Sequence, residues 1–127
     1  MQCKPVLGIL LISGDYGRAH YAFVLAAGAA ALGRQVVLFA TNAGCLALAD
    51  DWRALTGAEA DVAVRDTGVA GFDELRTASV ELGVRLIACE AGLRVVGMDP
   101  TRLLPGVEVA GVATFLAATA GGQLLSL

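Results

Sequence analysis

The chain has 127 residues, of which 57% are hydrophobic and 17% are charged, and its net charge is −3. This balance excludes a disordered chain, because burial of so much apolar surface offsets the loss of chain entropy on folding. The nine basic residues are scattered singly, which excludes the clustered positive patch that binding to nucleic acid or to an anionic membrane requires. We therefore expect one domain over residues 1–127, with some apolar surface covered by another copy of the chain.

Short apolar runs alternate with helical patterns along the whole chain. The sequence predicts strands at 6–12, 35–40, 84–88, 107–109 and 123–127, and helices at 16–32, 44–54, 72–82, 90–96 and 111–120. Residues 57–71 are predicted to form an irregular connection. Strands that are apolar on both faces and joined by helices are typical of parallel sheets. The expected fold is α/β, a single open, doubly wound parallel sheet of about five strands with helices on both faces, as in flavodoxin-like proteins.

The uncharged C-terminal stretch bears on whether the chain crosses a membrane, and the cysteines bear on whether it binds a metal. Residues 109–127 carry no charge, but Gly121 and Gly122 interrupt them, so a helix followed by a buried strand is favoured over a membrane span. The three cysteines form no CxxC pair and the chain has one histidine, so neither a metal nor an organic cofactor is expected. In a chain of intracellular character, the odd number of cysteines favours free thiols over a disulfide scaffold. We expect a cytoplasmic protein.

Cys89 is the leading candidate for chemistry, because it lies between the predicted strand 84–88 and a helix that begins near Glu90. Reactive groups of doubly wound sheets collect at the carboxyl ends of the strands. Backbone N–H groups at a helix N-terminus stabilise a thiolate, which is the reactive form of cysteine. Arg94 is expected to assist as a cation and Glu90 to oppose it. The alternative is that Cys89 is a buried residue that only fills space.

The other two thiols differ in their predicted position. Cys45 follows the predicted strand 35–40 and is expected at the same edge of the sheet as Cys89. Two thiols at one edge can exchange a disulfide or a sulfur atom, although a packing role is favoured for Cys45. Cys3 precedes the first strand and is expected at the opposite edge.

The remaining candidates for functional residues lie in and just after the loop that follows the first predicted strand. It lacks the G-x-G-x-x-G spacing of a dinucleotide-binding loop. Asp15 is predicted to cap the following helix. Arg18 and His20 are candidates to support Cys89, with His20 as a proton shuttle. A structural hydrogen bond is the favoured alternative for a single histidine.

A family resemblance appears in the stretch 83–98, which reads GVRLIACEAGLRVVGM. A glycine, an apolar strand, Ala-Cys, a short helix and a Gly-apolar pair eight residues after the cysteine resemble the DsrE/DsrF-like family, most closely its peroxiredoxin-like, sulfur-handling branch. The Ala-rich first helix, GRQVVLF at 33–39 and the final helix and strand agree with this. The resemblance implies a DsrE/F-like fold and a compact oligomer, often trimeric or hexameric.

The resemblance also implies a function. Carried over by position, Cys89 is the residue that accepts sulfane sulfur, and Gly92 stands where many relatives have a small hydroxyl residue. The implied protein is a sulfurtransferase or sulfur carrier that holds a persulfide on Cys89 and has sulfur donor and acceptor proteins as partners. Two alternatives stay open: a non-catalytic oligomeric module that binds a small ligand at the strand ends, and a thiol oxidoreductase that uses Cys89 and Cys45.

Overall fold

The structure, a computed structural model, describes residues 4–127, so the prediction for Cys3 lies outside the described residues. The strands are β1 (Leu7–Leu11), β2 (Val36–Ala40), β3 (Arg85–Cys89), β4 (Glu108–Ala110) and β5 (Gln123–Ser126). The α-helices are α1 (Tyr16–Ala31), α2 (Ala60–Asp66), α3 (Phe72–Glu81), α4 (Glu90–Val96) and α5 (Val112–Ala118). Asn42–Leu48 and Pro100–Arg102 form 3-10 helices.

All five strands belong to one parallel sheet, in the order β4-β3-β2-β1-β5. The central strand β2 is buried along its whole length, as expected for a strand covered on both faces. The predicted α/β fold with a five-stranded parallel sheet is therefore confirmed. No helix within residues 4–127 combines the length and the apolar character needed to cross a membrane.

The two faces of the sheet carry unequal cores. Alternate side chains of a strand point to opposite faces. One face, the α1 face, packs against α1 and α3, whose Phe23 and Phe72 meet edge to face with ring centroids 5.4 Å apart. On the other, the α5 face, Phe115 of α5 stacks on Phe39 of β2 at 4.9 Å. The buried residues of the α5 face are Val37, Phe39, Ile87, Cys89 and Phe115.

The segment after β2 differs from its prediction. Instead of a helix at 44–54, the chain forms the 3-10 helix Asn42–Leu48 and turns away at Ala49, whose backbone is extended. The carbonyl of Leu48 accepts from the N–H of Leu104 at 2.9 Å, and Asp50 N–H donates to the carbonyl of Arg102 at 2.7 Å. Hydrogen bonds to a distant segment thus replace the next helical turn.

The connection predicted as irregular at 57–71 contains the two-turn helix α2. Its first turn carries Asp61, which is buried and accepts hydrogen bonds from α1 and from the start of α3. Tertiary contacts therefore stabilise a helix that is too short to form alone.

Candidate functional site

Cys89 lies where β3 ends and α4 begins. It is the last residue of the strand, and its extended backbone makes it the N-cap of the helix. Its Sγ accepts a hydrogen bond from the backbone N–H of Gly92 at 3.4 Å. The residue is only 8% exposed, and its side chain belongs to the buried cluster of the α5 face. The amide of Gly92 thus places a hydrogen-bond donor at the sulfur of Cys89.

Cys45 lies near Cys89 but belongs to the other face of the sheet. It is fully buried in the 3-10 helix that follows β2, within the cluster of the α1 face. Its thiol donates to the carbonyl of Ala40 at 3.5 Å. Burial, and to a lesser extent the neighbouring charge of Cys89, raise the pKa of the Cys45 thiol to about 11. Both cysteines are free thiols, and Cys45 has the environment of a packing residue.

Gly92 packs tightly against the turn that follows β2. A Cβ on residue 92 would lie 2.4 Å from the backbone nitrogen of Asn42 and 2.5 Å from Oγ1 of Thr41. Asn42 has a φ of 54°, a left-handed conformation in which asparagine is enriched. The close approach therefore favours glycine at position 92 over any residue that has a side chain.

Arg94, predicted to assist Cys89, pairs with Glu90 instead. Its guanidinium donates to the Glu90 carboxylate at 2.6 Å, four residues earlier on the same helix. Both side chains are mostly exposed. The predicted helper cation and the predicted opposing anion of the site therefore neutralise each other at the surface.

The candidates on α1 lie away from the contacts of Cys89. Asp15 caps α1 by accepting from the N–H of Arg18 at 3.1 Å, which confirms the predicted cap. The Arg18 side chain is exposed. His20 is buried, its Nε2 bonds the carbonyl of Ala70 at 2.9 Å, and its ring packs on Tyr16. His20 thus has the structural hydrogen bond that its sequence context favours.

A second polar region surrounds Asp61, at the wall of a 610 Å³ cleft between α2 and the start of α3. The Asp61 carboxylate accepts from the Tyr16 hydroxyl at 2.5 Å, from the N–H of Phe72 at 2.8 Å and from Nε of Arg65 at 3.0 Å. Burial opposes the charge, but these bonds together lower the pKa of the Asp61 carboxyl. In the part of the chain that the structure describes, no three His, Cys, Asp or Glu side chains are grouped as metal ligands.

Comparison with known proteins settles the family. A profile of the DsrE/DsrF/DrsH-like family matches residues 54–125, which include β3, Cys89 and α4. The chain belongs to this family. It is 29% identical over 141 aligned residues to the sulfur carrier protein DsrE2 of Allochromatium vinosum, covering 86% of this chain and 89% of that protein. It is 26% identical to the uncharacterized protein YrkE of Bacillus subtilis, covering 91% and 92%.

Solved structures show the same fold. The ychN protein from E. coli superposes with a TM-score of 0.73 at 14% identity, covering 98% of this chain and 99% of that one. MTH1491 from Methanobacterium thermoautotrophicum gives a TM-score of 0.62 at 22% identity, covering 98% and 100%. These similarities show that the fold shared with the two solved structures extends over almost the whole of the chain.

Thr41 and Asn42 pack on Gly92 beside the candidate site, although they are not among the residues that the sequence marks as candidates. They follow β2 directly, and carboxyl ends of parallel strands meet at one edge of the sheet. Their position after an apolar strand is the signal that points to them. Their packing on Gly92 depends on the strand register and on the left-handed turn, which the sequence alone does not define.

Proposed function

We propose that this member of the DsrE/DsrF/DrsH-like family carries sulfane sulfur as a persulfide on Cys89, between a donor protein and an acceptor protein. The single observation that carries the proposal is the placement of Cys89 at the carboxyl end of β3, with its Sγ accepting the N–H of Gly92. The name of the relative DsrE2, a sulfur carrier protein, supports the same function.

The transfer needs only the Cys89 sulfur and its two protein partners. The Cys89 thiolate attacks the outer sulfur of a donor persulfide, a new S–S bond forms, and the donor sulfur leaves as a thiolate. In the second step an acceptor thiolate attacks the terminal sulfur on Cys89, whose own sulfur leaves as a thiolate. The oxidation states balance in each step, because one S–S bond replaces another. The N–H of Gly92 stabilises the Cys89 thiolate before the first step and after the second.

Cys45 is not suited to carry the sulfur. A thiol with a pKa of about 11 is almost entirely protonated at neutral pH, and the thiolate is the nucleophile. Its side chain also belongs to the core of the α1 face, whereas Cys89 belongs to the cluster of the α5 face. These differences favour the carrier over an oxidoreductase that pairs the two thiols.

We extend the proposal to assembly through the α5 face. Val112 and Leu116 of α5 and Leu124 of β5 are each more than half exposed. Because monomers rarely leave large apolar patches in water, we propose that another copy of the chain covers them. Light scattering on dilute protein is expected to give at least twice the mass of one chain, and a clean monomer would contradict the assembly.

The experiment for the carrier exposes the protein to polysulfide or thiosulfate and measures its intact mass. We expect wild type and Cys45→Ser to gain the mass of one sulfur atom, mapped to Cys89, and Cys89→Ser to gain none. Folded but unmodified wild-type protein would favour the binding module. A Cys45–Cys89 disulfide as the product would favour the oxidoreductase.

A further inference from the structure

Thr41 lies beside Cys89 at the edge of the sheet. In the parallel ladder between β2 and β3, Ala40 pairs with Ala88. Thr41 follows Ala40 and keeps an extended backbone, and Cys89 follows Ala88, so the same register places Thr41 level with Cys89. Cys89 continues the ladder on its other side, where it pairs with Ala110 of β4. The strand register therefore places Thr41 at the same level of the sheet as the sulfur-bearing residue of the proposed carrier.

The Thr41 hydroxyl fills the space that a side chain on residue 92 would occupy. A Cβ on Gly92 would lie only 2.5 Å from Oγ1 of Thr41, well inside van der Waals contact. The backbone N–H of the same glycine donates to Sγ of Cys89. A hydroxyl from the residue after β2 and an amide from α4 are thus brought together where β3 ends.

The hydroxyl of Thr41 is not committed to a strong partner. It donates to Oδ1 of Asn42 at 3.3 Å, whereas O–H···O bonds are typically about 2.7–2.8 Å long. Thr41 is only partly buried, and Asn42 is exposed. Hydrogen bonds to an ionised acceptor are roughly twice as strong as neutral ones, so an anionic sulfur competes well for this proton.

We propose that the Thr41 hydroxyl is a second hydrogen-bond donor to the anionic sulfur on Cys89, alongside the N–H of Gly92. The proposal rests on the proposed function, since it concerns the thiolate that accepts sulfur and the persulfide that results. It assigns to the residue that follows β2 the hydroxyl that glycine at position 92 cannot supply. No atom is transferred to or from Thr41, which acts only by donating this hydrogen bond.

The test compares Thr41→Val, which keeps the shape and loses the hydroxyl, with Thr41→Ser, which keeps the hydroxyl. The rate of Cys89 alkylation by iodoacetamide is followed from acid to mildly alkaline pH. We expect the pH–rate profile of Thr41→Val to move to higher pH, with about a tenfold slower reaction at neutral pH, as one lost hydrogen bond to a charged group implies. The Thr41→Ser profile is expected to match wild type. Thr41→Ala provides a second variant without the hydroxyl if Thr41→Val does not fold.

Two results of these measurements would overturn the role of the Thr41 hydroxyl. If the variants without the hydroxyl change the unfolding temperature but leave the pH–rate profile unchanged, Thr41 is a packing residue and the proposal is overturned. If Thr41→Ser shifts as far as Thr41→Val, the hydroxyl is not the cause, which also overturns it. Polysulfide loading of wild type is measured in parallel. Loading without a profile shift refutes the role of Thr41 alone, and a profile shift without loading refutes the carrier function alone.

Discussion

The cluster around Asp61 and the sheet edge around Cys89 are both polar regions, but they are built differently. Asp61 is buried, and its carboxylate accepts three hydrogen bonds from three separate elements of the chain. Cys89 accepts a single bond from Gly92, and the hydroxyl of Thr41 beside it has only a long bond to its neighbour. Satisfied polar groups stabilise a fold, whereas groups with spare hydrogen-bonding capacity are available to a ligand.

A carboxyl group with a shifted pKa at the wall of a cleft does not by itself mark a functional site. The Asp61 cleft is large, and the pKa of Asp61 is lowered, yet two of the groups that cause the shift, the Tyr16 hydroxyl and the Phe72 N–H, bind Asp61 to α1 and α3. Structural ion-pair networks shift pKa values just as active sites do. We therefore expect substitutions around Asp61 to change the stability of the fold, and substitutions around Cys89 to change the reactivity of its thiol.

The largest expected effect follows removal of the Asp61 carboxylate. Asp61→Ala leaves the Tyr16 hydroxyl and the Phe72 N–H without their acceptor, so we expect a loss of about 2–5 kcal/mol in the free energy of unfolding in urea. Asp61→Asn keeps one oxygen acceptor and should lose less. Sulfur loading on Cys89 should be unchanged while either variant is folded. Reduced loading in a folded variant would show that the two regions are coupled.

A methyl group on Gly92 should affect both stability and reactivity. Gly92→Ala forces a Cβ against the backbone of Asn42 and the hydroxyl of Thr41, and overpacking of this kind costs about 1–3 kcal/mol. Alkylation of Cys89 should also slow, because the donor N–H of residue 92 is displaced. Gly28→Ala is the matched control, since a Cβ in that part of α1 meets nothing within 4 Å.

The control Gly28→Ala is expected to change the stability in the opposite direction to Gly92→Ala. Alanine favours the helix over glycine by roughly 0.5–1 kcal/mol, so Gly28→Ala should raise the unfolding temperature and leave Cys89 unaffected. Equal stability changes for Gly28→Ala and Gly92→Ala would show that the close approach at Gly92 has no energetic consequence.

Acidification should weaken the Asp61 cluster. The pKa of Asp61 is lower in the folded state than the value of about 3.9 in an unfolded chain, so its contribution to stability is fully present above that value. The contribution is lost as the pH falls through the folded-state pKa. Urea midpoints measured against pH should therefore fall more steeply for wild type than for Asp61→Asn in this acidic range. Parallel curves would contradict the assignment.

The smallest expected effect is at Arg94. Its ion pair with Glu90 is exposed, and exposed pairs contribute about 1 kcal/mol or less. Arg94→Ala is therefore expected to change the unfolding free energy only slightly and to load sulfur at the wild-type rate. Glu90→Gln breaks the same pair from its other partner and serves as the control. A tenfold loss of loading in Arg94→Ala alone would restore Arg94 as a helper of Cys89.

The fold could be predicted from the sequence largely because its strands are apolar runs bounded by glycines and helices. The helix α4 is predicted with the bounds that it has in the structure, since Cys89 and Gly97 flank it. The 3-10 helix after β2 and the helix α2 could not be predicted. The hydrogen bonds of Asp50 with the Arg102 carbonyl and of Leu48 with the Leu104 N–H determine the first, and the contacts of Asp61 determine the second.

The candidate site also has some features that the sequence predicts and others that depend on tertiary structure. The position of Cys89 follows from the order of strand and helix, and so does the cap at Asp15. The pairing of Arg94 with Glu90 depends on which rotamers the side chains adopt, and the packing of Thr41 on Gly92 depends on the register of two strands. Neither is encoded in local sequence patterns.

The most direct test of Cys89 as the sulfur-bearing residue is the relative rate at which the native thiols are alkylated. Iodoacetamide is added to folded protein at neutral pH, and each cysteine is followed by peptide mass spectrometry. We expect Cys89 to react first and Cys45 to react at least about a hundredfold more slowly, because Cys45 is buried and its pKa is about 11. Alkylation of Cys45 or Cys3 as fast as Cys89 would contradict the assignment.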